Sequence, residues 1–80
     1  MNQQEIETRL ECHKGTSYKE YTVEVFRQGE GWNVKYKYGR IGAGCPNIYT
    51  KFPEPVGYTM ARMEADRTIQ SKKRKGYFEV

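Results

Sequence analysis

No stretch of this 80-residue chain approaches the run of about 20 apolar residues that a bilayer-spanning helix needs. The start, Met1-Asn2-Gln3-Gln4-Glu5, is polar and partly acidic, unlike the basic-then-apolar pattern of a secretory leader. A cytoplasmic protein without membrane contact is therefore expected. Histidine occurs once, as His13, and cysteine twice, as Cys12 and Cys45. That is too few ligands for a zinc site of recognisable spacing, so no metal is expected. Without an oxidising compartment the two cysteines are expected as free thiols. Cys12 and His13 are neighbours, but on a strand neighbours point to opposite faces, which prevents a direct thiolate–imidazole pair. No carboxylate pair sits near an obvious nucleophile. The glycine-rich 39–44 segment leads towards a strand rather than a helix, so it does not read as a phosphate-binding loop. Catalysis, cofactors and small-molecule substrates are accordingly not expected.

Apolar content is also low, at 36%, with a mean hydropathy of −0.97. Disorder would follow if aromatics were scarce as well. They are not: seven Tyr, three Phe and one Trp make up 14% of the chain, enough large bodies to build the core of a small sheet. A single folded domain over residues 1–80 is expected.

Charge is unevenly distributed within a net +4. Residues 1–34 carry four basic and six acidic side chains, whereas residues 35–80 carry ten basic and four acidic ones. A basic half on a small domain is the electrostatic footprint of a polyanion partner.

The pattern along the chain is mostly that of strands. Ile6, Thr8, Leu10 and Cys12 alternate with Glu7, Arg9, Glu11 and His13, as on a strand with one wet face. Lys14-Gly15-Thr16-Ser17 is a turn cluster. Residues 18–28 are β-branched and aromatic, with Tyr21, Val23 and Val25 on one face. Gln28-Gly29-Glu30-Gly31 marks a hairpin. The returning strand, 32–40, puts Trp32, Val34, Tyr36 and Tyr38 on a core face and Asn33, Lys35 and Lys37 on a face suited to solvent or to a phosphate backbone. Gly39, Gly42, Gly44 and Pro46 mark a loop. A fourth strand follows through Ile48, Thr50 and Phe52 until Pro53 and Pro55 end it. Residues 58–75 form the one helical segment, with Gly76 just past its end. Tyr58, Ala61, Ala65 and Ile69 make the stripe expected to face the sheet, which leaves Met60 and Met63 partly exposed. Residues 77–80 can add a last short strand. The fold class expected is α+β: an antiparallel sheet of four to five strands with one helix packed across one face.

Two short motifs carry the remaining information. Tyr38-Gly39-Arg40-Ile41-Gly42 closes the aromatic strand, and about thirty residues later Lys72-Lys73-Arg74-Lys75-Gly76-Tyr77 closes the helix. With Lys19-Glu20-Tyr21 on the earlier strand and Ala61 early in the helix, their order and spacing resemble the WGR domain over about residues 10–77. Tyr38 stands where the Trp of that family's name would be, and Glu20 stands in place of a Phe. The resemblance implies an antiparallel sheet with one helix. It also implies a non-catalytic module that binds DNA, with residue 38 packing on a terminal nucleotide sugar and Arg40 adding polar contacts.

Read from the residues themselves, Tyr38 suits either a core position or ligand stacking. The Arg40 guanidinium can fork onto phosphate oxygens or bond loop carbonyls. Lys72, Lys73, Arg74 and Lys75 repel one another, and a polyanion would relieve that repulsion. The candidate nucleic-acid-binding residues are Lys35, Lys37, Tyr38, Gly39, Arg40, Lys72, Lys73, Arg74 and Lys75. The competing reading is a protein-interaction adaptor using the Met60 and Met63 stripe.

Overall fold

In the computed structural model, residues 4–42 and 47–80 are described. The expectations for residues 1–3, for the loop at 43–46 and for Cys45 lie outside them. Five strands and one helix follow in the order β1 (Ile6–Lys14), β2 (Ser17–Gln28), β3 (Gly31–Arg40), β4 (Asn47–Thr50), α1 (Tyr58–Arg74) and β5 (Phe78–Glu79). The strands form one antiparallel sheet in the order β4-β3-β2-β1-β5. The α+β class is thus observed, with five strands.

Local chemistry sets the register. Gly29 adopts φ +61°, the left-handed conformation that a two-residue hairpin loop requires and that glycine supplies without a Cβ clash. That turn aligns Gln28 with Gly31, and every pair after it follows, through Tyr21 opposite Tyr38 to Lys19 opposite Arg40. Because side chains alternate, the same register sorts the sheet into two faces. One face, built from Leu10, Val23, Val25, Trp32, Val34 and Tyr36, is buried. Helix α1 lies across β2 and β3 on this face, with Ala61 and Ala65 fully covered beneath it. These alanines let the helix backbone approach the strands closely, and Tyr58 and Ile69 pack on the same core. Met60 and Met63 stay more than half exposed. Each buried aliphatic chain here is worth about 1.5–3 kcal/mol.

Asn33 departs from expectation. Strand alternation places it on the face suited to solvent or a phosphate backbone, yet it is fully buried. Its amide donates to Gln28 Oε1 (2.9 Å) and to the Phe52 carbonyl (2.9 Å). Its carbonyl accepts from Val34 N (2.8 Å) and Phe52 N (3.1 Å), so both ends of the amide are satisfied. The Asn33 side chain thereby stands in for strand pairing at Phe52. This is why β4 ends at Thr50 rather than at the expected Phe52. The chain rejoins β3 only where Trp32 and Val56 exchange two backbone bonds of 2.7 and 2.8 Å.

The helix ends as its glycine predicts. Gly76 has φ +105°, Gly76 N donates to the Lys73 carbonyl and Tyr77 N to the Lys72 carbonyl, the bond pair of a Schellman cap. The reversal sends Phe78 and Glu79 back against β1, where Val80 N reaches the Arg9 carbonyl.

Candidate nucleic-acid interface

The C-terminal end of α1 lies over the ends of β2 and β3, and there the two motifs meet. Lys19, Tyr21, Tyr38 and Arg40 share the helix-covered face by strand alternation, with Lys19 directly opposite Arg40. The helix stops short of this end of the sheet, which leaves a hollow of about 320 Å³. Its walls are Tyr18, Lys19, Tyr21, Tyr38, Gly39, Arg40, Lys72 and Tyr77. A second hollow of about 440 Å³ adjoins it, lined by Cys12, Lys14, Lys19, Lys72, Lys75 and Tyr77. Five cations, Lys14, Lys19, Arg40, Lys72 and Lys75, border this composite site, and among the described residues no carboxylate lines either part.

Tyrosines form its floor. Tyr21 and Tyr38 stack with centroids 5.6 Å apart and planes 19° from parallel, and Tyr77 meets Tyr21 edge-on at 6.1 Å. Lys72 Nζ sits 4.3 Å above the Tyr21 ring and 5.7 Å from that of Tyr77. Tyr38 keeps 39% of its surface exposed, so one side of its ring packs on Tyr21 while the rest stays open. Tyr38 therefore lies outside the core that its strand face led one to expect, because the helix does not reach it.

Electrostatics mark the same place. Partial burial, followed by repulsion from Lys75 and Lys19, lowers the Lys72 ammonium below the ordinary lysine value. Burial, with Tyr38 and Tyr77 alongside, raises the Tyr21 hydroxyl. Tyr77 is likewise raised by burial. Burial and the neighbouring lysines both disfavour the charged form of Lys72, and an anion bound beside it would offset both. Lys14 Nζ donates to the Lys75 carbonyl (3.1 Å), tying the β1–β2 hairpin to the helix end. A Cβ on Gly76 would sit 2.6 Å from Lys14 Cε, so this close approach also depends on the glycine.

The other anticipated cations lie elsewhere. Lys35 and Lys37 project from the opposite, helix-free face of the sheet. Lys37 pairs with Glu24 at 4.0 Å, and Lys35 lies over the Phe26 ring at 4.8 Å. Lys73 faces Glu79 at 3.5 Å, and Arg74 is exposed but borders neither part of the hollow. Of the basic run, Lys72 and Lys75 therefore turn inwards, one helical turn apart. Tyr38, Gly39, Arg40, Lys72 and Lys75 come together, whereas Lys35, Lys37, Lys73 and Arg74 do not join them. Lys14, Lys19, Tyr21 and Tyr77 belong to the hollow but were not among the candidates. The hairpin turn could have revealed two of them, since pairing outward from Gly29 places Tyr21 against Tyr38 and Lys19 against Arg40.

His13 Nε2 lies 2.9 Å from Glu11 Oε1, and its ring packs edge-on against Tyr18 and Phe78 on the helix-free face. Cys12 is a buried free thiol on the other face. Among the described residues no three His, Cys, Asp or Glu side chains cluster as metal ligands. No helix of these residues is long and apolar enough to cross a membrane. Another hollow, about 530 Å³ around Trp32, Pro55 and Tyr58 at the opposite end of α1, is lined among the described residues by Glu30 and no cation. No family model, no curated protein and no solved structure matches this chain.

Proposed function

We propose that the protein is a non-catalytic, cytoplasmic nucleic-acid-binding module of the WGR type that takes DNA at the hollow beside the C-terminal end of α1. One observation carries the reading. Tyr38-Gly39-Arg40 and Lys75, more than thirty residues apart in sequence, line two adjoining hollows that share Lys19, Lys72 and Tyr77, and among the described residues their joint border has five cations and no carboxylate. Aromatic faces accept bases or sugars without regard to sequence, and cations beside them hold the backbone. Lys and Arg at this helix end also oppose the macrodipole favourably, by about 0.3–1 kcal/mol each, but that accounts for one or two of them rather than for a ring of five.

The test is fluorescence-anisotropy binding to three short DNAs: an open-ended duplex, a duplex closed by a hairpin at each end, and a single strand. Each is measured at two salt concentrations. Binding is expected to fall with salt at a log–log slope no steeper than about −4.5, the limit for five neutralised phosphates. Preference for the open end or the single strand supports use of the Tyr38 face. Absence of binding at low salt overturns the reading.

A second reading has its own observation. Met60 and Met63 stand more than half exposed and, with Phe52 and Arg67, border an apolar groove on the far side of α1. A protein partner seated there would give a salt-insensitive complex lost in Met63→Glu.

A further inference from the structure

The sheet has two edges, and they differ. At β5 the edge is two residues long and carries Glu79, paired to Lys73. At β4 it is Asn47-Ile48-Tyr49-Thr50, four residues without a charge or a proline, every one exposed. Short strands and edge charges are how soluble sheets block further pairing, and β4 lacks the second of these.

The pairing pattern shows which groups β4 offers. Lys51 N donates to the Val34 carbonyl at 2.9 Å, and β4 pairs with β3 in the register Tyr49–Tyr36 and Ile48–Lys37. In an antiparallel ladder bonded and non-bonded pairs alternate, so Asn47 and Tyr49 turn their backbone groups to β3. Ile48 and Thr50 turn theirs outward. Among the described residues nothing bonds to them.

We infer that β4 is a self-association edge, pairing antiparallel with β4 of a second copy about a two-fold axis through Tyr49. In that register Ile48 and Thr50 of one copy exchange backbone bonds with Thr50 and Ile48 of the other, and all the outward groups are used. Tyr49 meets its symmetry mate as a non-bonded pair, the arrangement that brings side chains closest. Its ring already stacks on Tyr36 at 6.0 Å with planes 10° apart, so pairing extends this into a row of four tyrosines on the helix side. Ile48, 61% exposed on the other face, packs against Thr50 of the mate. The uncharged strand sets no like charges against each other across the axis. These features are self-complementary, which favours a copy of this chain over a foreign strand. The axis is perpendicular to the sheet, so both helices and both cation-lined hollows lie on one side of a ten-stranded sheet. The inference rests on the edge alone and stands whether or not those hollows bind DNA.

The test is the mass of the full chain by sedimentation equilibrium across the micromolar range, without nucleic acid. A species of twice the 9.4 kDa chain mass is expected, dissociating on dilution. Thr50→Pro removes an outward donor while sparing the bonds to β3, and proline is tolerated at such edge positions. It should leave the circular-dichroism spectrum unchanged and give a single-chain mass. Ile48→Lys places a charge on the same edge and should do likewise, and it decides the matter if the proline variant does not fold. A single-chain mass for the unaltered protein at every concentration overturns the inference. So does a two-chain mass that persists in a folded Thr50→Pro or Ile48→Lys variant.

Discussion

Lys37 and Arg40 leave the same strand three residues apart and meet opposite surroundings. Lys37 stands on the helix-free face, where β1 and β2 present Glu7, Glu11, Glu20 and Glu24, and it lies 4.0 Å from the last of these. Arg40 turns to the other face, where Lys19 is its cross-strand neighbour and Lys72 borders the same hollow. One face spreads acids and bases so that its field cancels. The other gathers bases around tyrosines and leaves them without a counter-charge. A basic side chain thus stands among acids in one place and among other bases in the other, and net charge alone cannot tell the two apart.

The sharpest way to break that contrast is to reverse charge on each face. Lys72→Glu with Lys75→Glu is expected to weaken DNA binding about tenfold to a hundredfold and to flatten its salt slope by about two. Lys35→Glu with Lys37→Glu should change affinity by less than about threefold, because those lysines sit among glutamates. Anisotropy titrations at two salts measure both, and equal losses would mean that the two faces act alike.

Asn33 sharpens the comparison from the helix-free side, where the structure buries a polar group rather than exposing it. Asn33→Ala leaves the Phe52 and Val34 amides without their acceptor, and a loss of about 2–4 kcal/mol in urea unfolding is expected, with binding per folded molecule unchanged.

Tyr38→Ala is expected to cost about 1–3 kcal/mol of binding if a base or sugar packs on its open side, with little change in stability. Tyr38→Phe should keep most of the affinity. Loss of stability without loss of affinity would make Tyr38 a core residue only.

The smallest effect is a pH dependence of stability. Tyr36 lies under the helix, its hydroxyl donating to Glu64 (3.2 Å) and within hydrogen-bonding distance of Thr68 (3.1 Å). Burial is the main cause that pushes it up to about 12, with the Thr68 bond acting against the shift and Glu64 adding to it. A folded-state value above the unfolded value of 10.0 means that the folded protein holds this proton more tightly. The stabilisation is complete below about pH 10 and is lost as pH rises towards 12, at up to about 1.4 kcal/mol per pH unit. Tyr36→Phe should shrink that slope to the part that Tyr21 and Tyr77, also raised, contribute, and cost about 1 kcal/mol at neutral pH. Urea melts between pH 8 and pH 11 check both.

Much of the fold was legible because it is written in short-range terms. Alternation named the core face of β1, β2 and β3, Gly29 set the hairpin, and the small residues Ala61 and Ala65 marked the buried side of the helix. Asn33 was not legible. Its burial depends on the backbone at Phe52, nineteen residues away, and alternation cannot see which distant backbone comes alongside β3 there. The site was half legible for a related reason. Tyr38, Gly39 and Arg40 could be picked from their strand, and Lys72 and Lys75 from their helix. Only the packing angle of α1 could turn Lys72 and Lys75 towards Arg40 while leaving Lys73 and Arg74 outside.

The sequence by itself determined the elements, the register of the central hairpin and the basic character of the second half, because each follows from neighbours in the chain. The tertiary structure decided which cations of the helix end join those that strand register already pairs. Charges interact through space over about 10 Å in ordinary salt, and whether Lys72 and Lys75 join the strand cations at one pair of hollows is set by how the helix crosses the sheet.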